Sequence, residues 1–179
     1  MSLKINPEIS NATTLPAEFY IDHKYFDSSI KNIFSYSWQL ITDYDTLNHN
    51  NIYPFIFLEN SVNEPLVLIK SDNKIKCFSN VCTHRAHLVA DKPCNGSKLR
   101  CMYHGRTFNL DGTFNSMSGF ENANKFPTKK DNLISVENKI WNNFIFVSLD
   151  QSIDITNVLN DIDTRLPCFP FEKLIHDAN

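Results

Sequence analysis

The 179-residue sequence predicts a mainly β domain, an antiparallel sheet with a short helix before it and a helical connector after it. Three observations predict it. Short runs rich in Val, Ile, Leu and Phe recur between Trp38 and Leu149. Turn-forming residues such as Ser71-Asp72-Asn73 and Asp111-Gly112 separate them, and helical periodicity is confined to the two ends. With 42% hydrophobic residues and fourteen Phe, the chain can bury one sizeable core, and its composition lies far from that of a disordered segment.

Residues 1–44 read as a lead-in. Asp22 is placed to cap a helix, Ile21 and Phe26 to form a hydrophobic staple, and Phe26, Ile30, Ile33 and Phe34 to make a stripe at i, i+4, i+7 and i+8 that packs on the core. Residues 45–150 carry the sheet, with strands expected at 52–58, 66–70, 75–79, 106–110, 133–136 and 144–149. The Asp111-Gly112 pair resembles a tight hairpin turn. Residues 151–179 return to helix: Ile155, Val158, Leu159, Ile162 and Leu166 fall on one face, and Pro167 ends it. The tail beyond, with Phe169, Phe171 and Leu174, shows no evident packing partner. The four glycines, at 96, 105, 112 and 119, cluster on or just after one stretch, as expected where loops need positive φ or close approach.

A net charge of -3 gives no basic field for a phosphate backbone, so nucleic acid is not a partner. No apolar run reaches the ~18 residues of a membrane helix, and no charged-then-apolar leader opens the chain, so the expected location is cytoplasmic with no membrane contact. Five cysteines, an odd number, make a secreted disulfide framework the weaker reading.

The stretch CTHRAHLVADKPCNGSKLRCMYHG, residues 82–105, sets a C-x-H pair and a C-x-x-H pair on either side of sixteen residues. A structural zinc wants four ligands on one ion, commonly from a C-x2-4-C knuckle and an H-x3-5-H pair. Here each segment offers one thiolate and one imidazole, which suits a two-iron cluster with both cysteines, Cys82 and Cys101, on one iron and both histidines, His84 and His104, on the other. Zinc stands as the alternative, because these ligand types serve it as well.

The segments NVCTHRAHLV and CMYHGRTFNLDGTF resemble the two cluster-binding loops of Rieske-type aromatic ring-hydroxylating oxygenases, in the large (alpha) subunit. LPAEFYIDHKYFDSSIKNIFSYSWQLI, residues 15–41, is similar to the helical lead-in of the same proteins, so the likeness covers residues 15–149. It implies a Rieske-type antiparallel β-sandwich holding one 2Fe-2S cluster on Cys82, His84, Cys101 and His104, and electron transfer to a mononuclear non-haem iron in a second domain. A reductase or ferredoxin is the implied donor, and a homotrimer the implied assembly of the full-length protein, a dioxygenase-type oxidoreductase. Arg85 and Gly105 match the family pattern. Ala86 stands where Gly is usual and Arg106 where Trp is common, and no role is carried over to either. Met102 and Tyr103 stand near where respiratory Rieske proteins carry an extra Cys, so that subtype is disfavoured.

His23, His49, His87 and His176 share no element at ligand spacing, so the chain is expected to lack the mononuclear site and to be a fragment that transfers electrons without turning over substrate. A self-contained Rieske ferredoxin-like carrier is the alternative, and a zinc-stabilised β interaction domain a third. His87 reads as a surface histidine, Cys77 as a core thiol, Cys168 in its Pro-flanked tail as likewise structural, and Cys94 as a free surface thiol. Tyr103 either shields the cluster or packs.

Overall fold

The computed structural model describes residues 5–150 and 152–174; His176 lies outside the described residues. In chain order the elements are α1 (Ala17–Ile21), α2 (His23–Asn32), β1 (Gln39–Asp43), α3 (Thr46–His49), β2 (Ile52–Phe57), β3 (Glu64–Ser71), β4 (Lys74–Ser79), β5 (Lys98–Arg100), β6 (Thr107–Asn109), β7 (Phe114–Ser116), β8 (Ser135–Trp141), β9 (Phe144–Ser148) and α4 (Thr156–Arg165). A six-stranded sheet runs β1-β9-β8-β4-β3-β2, and a three-stranded sheet runs β5-β6-β7. All neighbouring strands in the two sheets are antiparallel. Each expected strand has its counterpart. Three more are present, β1, β5 and β7, of which β5 and β7 span three residues and are too short to show an alternation.

The apolar run of β3 explains where the core sits. Leu66 and Leu68 face one cluster with Leu47, Phe57, Cys77, Ile145 and Val147, while Val67 and Ile69 face a second with Phe78, Cys82, Cys101, Phe108 and Leu133. A strand buried on both faces reads as continuous hydrophobics rather than as an alternation. Each such side chain contributes about 1.5–3 kcal/mol on burial, and the second cluster builds the floor beneath Cys82 and Cys101. The β3–β4 hairpin closes at Ser71↔Lys74 through Asp72 and Asn73, with φ of 50° and 59°, the pair of left-handed residues a type I′ turn requires.

Gly112 does more than turn the chain. Its φ is +85°, a Cβ there would lie 2.4 Å from the Phe78 ring, and its carbonyl accepts the Leu133 N–H at 2.8 Å. Turn and packing both require glycine.

Two expectations about the ends are corrected. The lead-in is two helices divided at Asp22, whose carboxylate accepts the Lys24 N–H at 3.0 Å as an N-cap should. Its stripe is not core: Phe26 is 50%, Ile33 59% and Phe34 42% exposed, because α2 packs chiefly on α1 and on the 3-10 turn Phe34–Tyr36. The tail, by contrast, has partners. Phe171 packs at a tilt against Trp141, with ring centroids 4.7 Å apart, and against Phe169 at 4.6 Å. Trp141 Nε1 donates to Asp163 at 3.0 Å, and Trp38 Nε1 to the Ile153 carbonyl at 2.6 Å. The tail therefore folds back on the β8–β9 hairpin, and of the α4 stripe Leu159 is buried while Val158 and Leu166 stay exposed. Among the described residues, no helix is long and apolar enough to cross a membrane.

Candidate functional site

Residues 80–134, inserted between β4 and β8, carry the small sheet and both Cys-His segments. Asn80 pins the base of the first loop: its side chain donates to the Ala90 carbonyl at 2.7 Å and accepts the Ala90 N–H at 2.9 Å, and its own N–H reaches the Pro65 carbonyl at 2.8 Å. The two loops then fold alike. In the first, Cys82 N–H donates to the His87 carbonyl at 2.8 Å and Ala86 N–H to the Cys82 carbonyl at 3.0 Å. In the second, Cys101 N–H donates to the Arg106 carbonyl at 2.9 Å and Gly105 N–H to the Cys101 carbonyl at 3.0 Å. The same i+4 and i+5 bonds close both loops, and the residue four past each cysteine is left-handed, Ala86 at φ 54° and Gly105 at φ 72°.

This fold brings all four expected site residues together. Cys82 and Cys101 are each 2% exposed on the core floor, and their thiols neighbour one another. The rings of His84 and His104 lie further out, edge to face with centroids 4.9 Å apart. Burial pushes the Cys82 thiol up; the His84 backbone N–H opposes this, Cys101 reinforces it, and Arg106 opposes it. Burial also pushes His84 down, helped by the charges of Arg106, His104 and Arg85, which favours the neutral imidazole a metal ligand must be. Among the described residues, no three His, Cys, Asp or Glu side chains converge on a single ion. An inner thiol pair and an outer imidazole pair form a donor set that suits two metal atoms, one pair to each.

Three supporting residues were not legible as such in the sequence. Arg106 is 3% exposed; its Nη1 donates to the Thr83 hydroxyl at 2.9 Å and sits 3.3 Å from the Asp131 carboxylate. Thr83 in turn donates to the Asp131 backbone carbonyl at 2.8 Å. Burial works against ionised Asp131, but hydrogen bonds from Thr128 and the Arg106 charge outweigh it and hold its carboxyl below the usual range. Asp131 closes a short 3-10 turn, Lys129–Asp131, through a reciprocal capping box with Thr128. The one sequence signal was that Arg106 departs from the resembled pattern; Asp131, twenty-five residues on, carried none.

His87, Cys77 and Cys94 fall where expected, whereas Cys168 is at the surface rather than in a structural role. His87 is exposed, with its Nδ1 2.7 Å from the Leu88 carbonyl. Cys77 is fully buried, with its thiol pushed up to about 12 by burial, while Cys94 and Cys168 are exposed and free. Tyr103 is half-exposed with its ring 3.7 Å from that of His104, so it packs beside that imidazole at the surface.

Residues 37–127 match the family described as Rieske [2Fe-2S] domain. The carnitine monooxygenase oxygenase subunit of Escherichia coli (strain K12) is 31% identical over 147 residues, which is 81% of this chain and 38% of that protein. The chloroplastic choline monooxygenase of Amaranthus tricolor is 34% identical over 139 residues, 78% of this chain and 31% of that protein. Among solved structures, a quaternary ammonium Rieske monooxygenase in complex with L-carnitine superposes with a TM-score of 0.75 at 22% identity, covering 90% of this chain and 49% of that one. Naphthalene 1,2-dioxygenase from Rhodococcus sp. bound to indole gives 0.72 at 22% identity, covering 84% and 36%. These last two show a shared fold. The chain spans about a third of the length of the curated relatives it matches.

Proposed function

The chain belongs to the Rieske 2Fe-2S domain family, whose cofactor is one such cluster, and from that premise we propose that it is the electron-receiving domain of a Rieske-type oxygenase. In this reading Cys82 and Cys101 hold the inner iron and His84 and His104 the outer one. The observation that carries it is the pair of matching loops, folded by the same two backbone hydrogen bonds, with both cysteines on the core floor and both histidines further out. The cluster, when bound, supplies reversible one-electron storage.

The rest falls to this chain's own side chains. The cysteines bind as thiolates, and burial of Cys82 opposes that ionisation until a metal replaces the proton. His84, held neutral by burial and by Arg106, keeps a lone pair for the metal. His104, exposed beside Tyr103, presents an imidazole edge at the surface across which a redox partner can be met. Phe120, 6.0 Å from the His84 ring, packs on Phe126 and keeps that side of the site apolar.

In this reading the iron that takes the electron lies in another domain, and what supports it is that, among the described residues, His23 on α2, His49 on α3 and His87 in the first loop belong to separate elements. The carnitine and choline monooxygenases among the relatives favour a quaternary ammonium compound as the substrate of the oxygenase it serves. A reductase or ferredoxin donor, a homotrimeric assembly and a cytoplasmic location complete the proposal. Anaerobic titration of the purified chain with a reduced ferredoxin-type reductase, followed by admission of air in the presence of carnitine or choline, tests it. One electron per chain with no oxygen-dependent loss of carnitine or choline is the expected result; turnover of either by the chain alone, or no electron uptake, would overturn it.

A further inference from the structure

We propose that Arg106 is a positioning residue for the cluster, tying the two ligand loops together and supplying a buried positive charge that raises the reduction potential. The proposal rests on the ligand set proposed above. Arg106 reaches both loops at once. Its backbone carbonyl accepts the Cys101 N–H at 2.9 Å, and its Nη1 donates at 2.9 Å to Thr83, the residue between Cys82 and His84. Asp131 completes the clasp, accepting from Arg106 at 3.3 Å through its carboxylate and from the Thr83 hydroxyl at 2.8 Å through its backbone. One guanidinium thus joins three segments that are otherwise separate turns.

The charges of the pair do not cancel at the site. The Arg106 side chain is 4% exposed and that of Asp131 18%, so the cation lies deeper and the anion nearer water, where it is better screened. The rings of Phe114 and Phe126 stand 5.3 and 5.5 Å from the guanidinium carbon, and Nε lies 3.5 Å from the Met117 sulfur. These apolar neighbours keep the local dielectric low. Reduction adds one negative charge to the site, so a neighbouring buried cation favours the reduced form and the Asp131 carboxylate opposes it. A lysine could keep the charge but not the planar guanidinium that sets Nη1 on Thr83 and Asp131 and Nε on the Met117 sulfur at once.

The test uses Arg106→Gln, Arg106→Lys and Asp131→Asn in the full chain, with iron and labile sulfide assayed and the midpoint read by protein-film voltammetry. Arg106→Gln should leave the site about tenfold less reduced at the wild-type midpoint, a fall of about 59 mV for a one-electron couple. Asp131→Asn should move the midpoint upward, and Arg106→Lys should keep it while losing cluster colour faster on warming. Opposite shifts from Arg106→Gln and Asp131→Asn are a signature that loosening of the fold alone does not produce. If Arg106→Gln assembles no cluster, Asp131→Asn decides. Iron-loaded variants with unchanged midpoints, or with both shifted the same way, would overturn the proposal. Wild-type protein lacking iron and labile sulfide would instead overturn the ligand assignment, and this proposal with it.

Discussion

Exchanging the residues at the two left-handed positions, by Ala86→Gly and Gly105→Ala, should move stability in opposite directions. Both positions follow their cysteine by four residues, both donate back to that cysteine's carbonyl, and both have φ between 50° and 75°. An L-residue with a Cβ costs about 1–2 kcal/mol in this region, while glycine returns about 0.4–1 kcal/mol through the greater freedom of the unfolded chain. The net is about 0.5–1 kcal/mol in favour of glycine at either site. Ala86 is exposed, so its methyl loses little packing, and a Cβ at Gly105 would meet the end of Arg100 at 3.7 Å, an ordinary contact. For a chain of this size 1 kcal/mol is roughly 2–4 °C in Tm. Ala86→Gly should therefore raise the melting temperature by about 1–4 °C and Gly105→Ala lower it by a similar amount, read by circular dichroism at one scan rate. Two variants that shift the same way would refute the claim that the loops share one backbone fold.

Gly112→Ala should cost about 2–4 kcal/mol, from overpacking against Phe78 added to left-handed strain, whereas Gly119→Ala, with φ +81° and no atom within 4 Å of the new Cβ, should cost only about 1 kcal/mol; equal losses would show that Phe78 is not the reason. Alkylation with iodoacetamide at pH 8.5 followed by mass spectrometry should label Cys94 and Cys168 in folded protein. Cys77, its thiol pushed up to about 12 by burial, is ionised to only about 3 parts in 10,000 at that pH and is shielded as well, so it should react only on unfolding; rapid labelling of Cys77 would contradict its burial. His104→Ala should abolish or loosen the cluster's visible absorbance while His87→Ala leaves it unchanged, and indistinguishable spectra from the two variants would remove the separation of ligand from bystander.

How legible each part was depends on how local its cause is. The central sheet could be read from runs such as Leu66 to Ile69, because a strand buried on both faces shows itself in consecutive residues. β5 and β7 could not, since three residues give no period and their pairing with β6 is decided by the loops around them. The Cys-His spacing of the candidate site was plain, since each loop is set by contacts within six residues. Arg106 was noticed only as an unexplained departure, because its partners Thr83 and Asp131 lie twenty-three and twenty-five residues away and no periodicity links them. The lead-in stripe misled in the opposite direction. Its helical period is real, but amphipathicity says that a face is apolar, not that this chain covers it, and Phe26 and Ile33 are half exposed or more. At the tail, Phe169 and Phe171 looked unpartnered because Trp141 is thirty residues from Phe171 along the chain.

The most direct test of the central claim is a metal and sulfide count on freshly isolated protein, joined to electron paramagnetic resonance after reduction. The protein should hold two irons and two labile sulfides per chain and give the spectrum of one reduced 2Fe-2S cluster with nitrogen ligation. Stoichiometric zinc in colourless protein without labile sulfide would contradict it.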